Sequence, residues 1–294
     1  MSLLPWHDDL ARDVARRLEA GTLPHALLVT GPPGWGERDF ANWMALRLID
    51  ADTDREAAAL AHPDLRWVVP DGAVIKVDAV REIVAFAQGT PQSGPRKVAV
   101  LAGAEALNTS AANALLKTLE EPPPGTHLLL VSSQPGRLLP TIRSRCQRLE
   151  IRPDHQAARD WLADRVAADV LDLRLFEHGG APVAVAAAEA GGQPLLAGLL
   201  ELALDPARDG EVVAGLLDSG LPDALGRWYR YVAAMAAGHR PLARPDPAPA
   251  RALMGFADEL VWVRRQLLSS NSANDRLLAE RLLVCWRRVE SARP

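Results

Sequence analysis

The sequence predicts an α/β domain followed by an all-helical C-terminal region, and three observations point that way. Short apolar runs of strand length, at residues 25–30, 65–69, 97–101 and 128–131, alternate with helical patterns through the first half of the chain. A glycine-rich stretch, GPPGWGERD at 31–39, stands between the first of these runs and a helix, where a loop whose backbone N–H groups cradle phosphate would sit. From about residue 195 strand signals stop and long helical stripes take over: Leu253, Phe256, Ala257, Leu260 and Leu267, then Leu278, Leu282, Cys285 and Val289.

Length and composition bound the function. The 294 residues suffice for two or three domains, and 48% hydrophobic residues can build real cores, which excludes a disordered chain. A net charge of -4 argues against a lysine-coated protein that holds DNA by itself. Arg137, Arg143, Arg145, Arg148 and Arg152 do cluster, as a local basic patch or as an ordinary solvated edge. Two cysteines, Cys146 and Cys285, are too few for a disulfide framework or a four-thiolate zinc site, and suit a reducing cytoplasm. The first residues lack the basic start and apolar core of a signal peptide, and no uncharged apolar run reaches about eighteen residues. The expectation is a cytoplasmic protein with no membrane association.

Element by element, Pro5 and Trp6 lead into a helix with Leu10, Val14 and Leu18 on one face, ended by Gly21. After the strand at 25–30, the loop keeps Gly31, Gly34 and Gly36, with Gly31 and Gly36 at the spacing of G-x-x-x-x-G-K-S/T. Glu37 stands at the lysine position and Arg38 at the Ser/Thr position. A carboxylate there repels the phosphates, and no hydroxyl remains to hold Mg²⁺. The loop is therefore expected to survive as structure without binding ATP usefully.

A helix over 40–49 and a polar alanine-rich segment follow, and His62 is read as a turn residue. Beyond the strand at 65–69, a helix opens at 77–81 with Asp78 as the expected N-cap, and KVAVL at 97–101 makes a strongly apolar strand. The next helix carries Ala112, Leu115, Leu116 and Leu119 at i, i+3, i+4, i+7, and Pro122 to Pro124 stop it. Glu120 and Glu121 occupy its last turn, where the helix dipole disfavours negative charge, so some other demand places them there. The strand at 128–131 leads through a turn to Ser144, Arg145 and Cys146, and 147–153 reads as a last strand and exit. Helices are expected at 159–170 and 171–178, another after Gly179, Gly180, Ala181 and Pro182, and a proline-rich loop at 240–249. Trp262 and Trp286 are read as ordinary core residues.

NALLKTLEEPP, followed after about twenty residues by SRC, resembles the clamp-loader branch of the AAA+ proteins, with identity and spacing agreeing together. The proline-tryptophan helix and the signature I-x-V-D-x-I/V-R at 75–81 are similar too. The resemblance implies an AAA+ parallel-sheet domain over 1–153, a small helical lid over 154–192 and an all-α collar over 193–294. In active relatives the third strand ends in Asp-Glu; here Ala102 and Gly103 stand there, with Glu105 expected to face elsewhere. Ser132 and Ser133, at a nucleotide-sensing position, are expected to cap a turn, and Val183 replaces a second sensor arginine.

These losses imply a subunit without ATPase activity of its own, part of a replicative polymerase assembly. Arg145, framed by Ser144 and a packed Cys146, is implied to be an arginine finger for a neighbour's ATP site. The bland alternative is a surface ion pair worth about 0–1 kcal/mol. The zinc module that relatives carry before His62 is missing, so neither metal nor cofactor is expected, and ATP would be held by neighbouring subunits. Implied partners are the other subunits of a five-membered ring, the sliding clamp and primer-template DNA. Two rival readings are an ATP-hydrolysing motor subunit, which needs Lys, Asp and Glu at positions 37, 102 and 103, and an independent DNA-binding protein.

Overall fold

A computed structural model describes residues 3–53, 55–72, 74–218, 220–239, 248–269 and 274–292. The chain forms two compact units, Met1–Ala158 and Arg159–Pro294.

The first unit is built on a parallel sheet of β1 (Ala26–Thr30), β2 (Leu65–Val68), β3 (Lys97–Ala102), β4 (Thr126–Ser132) and β5 (Gln147–Glu150) in the order β2-β3-β4-β1-β5. Its helices are α1 (Asp8–Glu19), α2 (Glu37–Leu48), α3 (Val77–Gln88), α4 (Thr109–Glu120), α5 (Pro140–Arg143) and the start of α6 (His155–Ala163). The apolar runs of β1, β3 and β4 bury both faces. Leu27, Val29, Val98, Val100, Leu129 and Val131 enter one core with residues of α1 and α2, whereas Leu28, Ala99, Leu101, Leu128 and Leu130 enter a second with residues of α3 and α4. The two-residue period of a strand sends neighbours to opposite faces, so continuous hydrophobic runs mark a sheet covered on both sides.

Helix ends follow local chemistry. Gly21 (φ 65°) stops α1 in a left-handed turn, with Gly21 N–H donating to Leu18 O and Thr22 N–H to Arg17 O. Asn108 caps α4 by accepting from Ala111 N–H at 2.8 Å. Asp78 does not cap α3: extended Lys76 is the N-cap, and Asp78 sits inside the first turn, paired with Arg81 at 3.0 Å. An acid there still suits the helix dipole.

The second unit contains α7 (Leu171–Glu177), α8 (Pro182–Ala190), α9 (Leu196–Leu202), α10 (Asp209–Asp218), α11 (Leu221–Ala236), α12 (Ala250–Ser269) and α13 (Asp275–Ser291). The helix expected over 159–170 ends at Ala163. Trp228, Phe256 and Trp286 form an aromatic centre, with ring centroids 5.1–5.8 Å apart. Trp286 is buried, but Trp262 is 40% exposed, its ring covered by the Arg281 guanidinium at 4.3 Å, so it is not a core residue. The proline-rich segment lies outside the described residues over 240–247.

A buried polar knot ties α7 to α11. Glu177 and Arg227 are both fully buried and 3.4 Å apart, and Tyr231 OH and Ala197 N–H donate to the other Glu177 oxygen at 3.1 and 3.2 Å. Arg174 donates to Glu189 and to Gln193 O, closing the knot over the start of α9. Buried polar networks of this kind favour one packing arrangement, although Arg174 Nη1 finds no partner among the described residues.

Candidate functional site

The glycine-rich loop joins β1 to α2, and its geometry explains its glycines. Gly34 and Gly36 have φ of 77° and 85°, and a Cβ on Gly36 would come within 2.3 Å of Leu4 Cδ1 and 2.9 Å of His7 Cε1. Trp35 is buried, and its carbonyl accepts from the Trp6 indole at 2.8 Å and meets His7 Nε2 at 3.0 Å. Rings of Trp6, Phe40 and His155 pack edge-on around Trp35 and His7. The loop is thus sewn to the N-terminal turn by aromatic packing.

Glu37 opens α2 and is half-buried. Burial pushes its carboxyl above the usual range; the N–H groups of Glu37 and Trp35 pull it back, and Asp39 and Glu105 push it up. Arg38 turns to the ring of Trp67, its guanidinium 5.9 Å from the centroid. Glu37 thus stands in place of the lysine of the phosphate-loop pattern and Arg38 in place of its hydroxyl.

The end of β3 offers no metal ligand. Ala102 is buried, and Gly103, with φ of 79°, turns the chain sharply against Pro70. That turn brings Glu105 back toward the loop, contrary to the expectation that it faces away. Ser133 Oγ donates to Glu105 Oε1 at 3.1 Å, and its charge reaches Glu37. Nothing in the local sequence announced this, because the left-handed Gly103 redirects the following turn. Ser132 Oγ accepts from Gln134 N–H at 3.1 Å. Val183 lies on α8 in the second unit.

Arg145 follows α5 at the surface. Its Nε donates to Glu120 Oε1 at 2.6 Å and its Nη2 contacts the same oxygen, while Nη1 donates to Thr141 O at 3.0 Å and lies 3.4 Å from Ser144 Oγ. Ser144 Oγ donates to Thr141 O at 3.1 Å. Cys146 packs half-buried against the core of α3 and α4, and burial pushes its thiol up to about 12, so it carries no thiolate at neutral pH.

The other arginines do not make a continuous basic face. Arg148 donates to Thr30 Oγ1 and Glu150, and Arg137 to Gln134. Arg148 and Arg152 line a cleft of about 1010 Å³ between α1 and β5 that also holds Asp8, Asp9, Asp13, Glu150 and Asp154. His62 Nδ1 accepts from Asp64 N–H at 3.1 Å. Among the described residues no group of three or more His, Cys, Asp or Glu could hold a metal ion, and no helix is long and apolar enough to cross a membrane.

Comparison with known proteins extends this picture. Residues 6–155 match the family model described as DNA polymerase III, delta subunit. The chain is 40% identical over 198 residues to DNA polymerase III subunit delta' of Pseudomonas aeruginosa, covering 62% of this chain and 60% of that relative's length. To the delta' subunit of Yersinia pestis it is 34% identical over 243 residues, 77% of this chain and 68% of the relative. In fold, it matches a DNA polymerase III gamma subunit-related protein of Thermotoga maritima with a TM-score of 0.60 at 17% identity, over 96% and 98% of the two chains. The matched family segment carries the sewn loop, the Ala102–Gly103 turn and Arg145 together, and the chain belongs to the delta' family of DNA polymerase III subunits.

Proposed function

We propose that this chain is a non-catalytic subunit of the replicative clamp loader that presents Arg145 to ATP bound by a neighbouring subunit. The observation that carries the reading is the pairing of an acid-filled loop with a surface arginine. Glu37 occupies the lysine position of the loop and Glu105 adds negative potential to it, whereas the Arg145 guanidinium remains one-third exposed. Such a finger stabilises charge on the transferring phosphoryl group and contributes about three to five orders of magnitude in rate, and it needs no nucleotide site of its own.

The chain takes a fixed place in a five-membered cytoplasmic ring that opens the sliding clamp and loads it on primer-template DNA. Residues 1–153 form the AAA+ domain, 154–192 a helical lid, and 193–294 a collar that packs with its counterparts. ATP is bound by neighbouring subunits, and this chain holds neither nucleotide nor metal.

Arg145→Ala should leave folding and assembly intact and lower the ATPase of the reconstituted loader with clamp and DNA at least tenfold at the site it serves. Unchanged hydrolysis would sink the finger. Tight Mg²⁺-dependent ATP binding by the isolated chain would instead favour a motor subunit, and salt-sensitive DNA binding by the purified chain an independent DNA-binding protein.

A further inference from the structure

A guanidinium recognises phosphate through its planar fork of N–H donors, and in the free chain that fork is already engaged: Nε and Nη2 with Glu120 Oε1, Nη1 with Thr141 O. Both sides of the contact stand on anchored backbone. Leu119 is buried and its carbonyl contacts His25 Nε2 at 2.9 Å, while Ile142 is fully buried at the base of the turn that carries Arg145. Glu120 is the last residue of α4, where the helix dipole works against a negative charge, so helix stability does not explain it.

We propose that Glu120 is a positioning residue that restrains Arg145 in the free chain and gives it up to the neighbour's triphosphate on assembly. This rests on the finger reading of Arg145. The carboxylate oxygen and a phosphate oxygen compete for the same donors, and the exchange is reversible because side chains 33% and 47% exposed make a weak pair. The strength of the restraint sets how strongly nucleotide on the neighbour tightens the hold on this chain.

The test measures binding of the full-length chain to purified motor subunits with and without ATPγS, the gain in affinity being the readout. Wild type should bind more tightly with ATPγS, and Arg145→Ala should erase that gain. Glu120→Gln, at an exposed position, should enlarge the gain by about two- to five-fold while leaving affinity without nucleotide within twofold. A merely structural Glu120 would change both affinities together and leave the gain alone. A gain that Glu120→Gln leaves unchanged or diminishes, with Arg145→Ala still erasing it, would overturn the restraint while sparing the finger. A gain that Arg145→Ala leaves untouched would overturn the finger and the restraint with it.

Discussion

At the scale of single residues, the glycine-rich loop is a packing element. Gly36 shows this best. Its φ of 85° and the closeness of Leu4 and His7 leave no room for a side chain. Gly36→Ala should cost about 2 kcal/mol in urea unfolding, from the left-handed strain and the displaced His7 ring; a loss below about 0.5 kcal/mol would mean that the N-terminal turn yields freely. Glu37 and Arg38 were legible as substitutions in the sequence. The approach of Glu105 was not, because it depends on the turn angle at Gly103. Arg145 was legible only through resemblance, and its Glu120 partner stood in the sequence as a charge in the wrong turn of a helix.

At the scale of elements, a buried histidine just after α7 shapes the pH response of the helical unit. His178, next to Glu177, is buried; desolvation lowers it to about 4, with Arg227, Arg174 and Arg230 adding to the effect and Asp223 opposing it. An unfolded histidine titrates near 6.5, so between about pH 6.5 and 4 the unfolded chain binds the additional proton. The stability from keeping His178 neutral is therefore fully present above pH 6.5 and is lost as the pH falls toward 4. The loss should reach about 2–3 kcal/mol by pH 4, and His178→Gln should flatten the slope of denaturation midpoint against pH. His7 and His127, also lowered by burial, act in the same direction and should keep part of the slope in that variant. Periodicity announced α7 and α11 as helices; it could not announce that a glutamate and an arginine fifty residues apart would share one buried site.

At the scale of the whole chain, the residues on which the proposed non-catalytic role rests lie at separate places: Glu37 and Arg38 in the loop, Ala102 and Gly103 at the end of β3, and Val183 on α8. Restoring one cannot restore the site, since the lysine, the metal ligand and the second sensor each act on a different part of the triphosphate. Equilibrium dialysis should find no Mg²⁺-ATP binding tighter than about 1 mM for the wild-type chain, and Glu37→Lys should improve it by less than about tenfold. Micromolar binding by that single variant would show a site one residue from function. By itself the sequence determined the order of strands and helices, the apolar runs that become β1, β3 and β4, and the replacement of the lysine and hydroxyl of the phosphate-loop pattern by Glu37 and Arg38, because these rest on residue type and on periods of 2 and 3.6 along the chain. Only the tertiary structure decided that Glu105 accepts from Ser133, that Trp35 sews the loop shut, that Trp262 lies at the surface and that Glu120 holds Arg145, because each of these depends on how segments distant in sequence are brought together by turns and packing that no local pattern encodes.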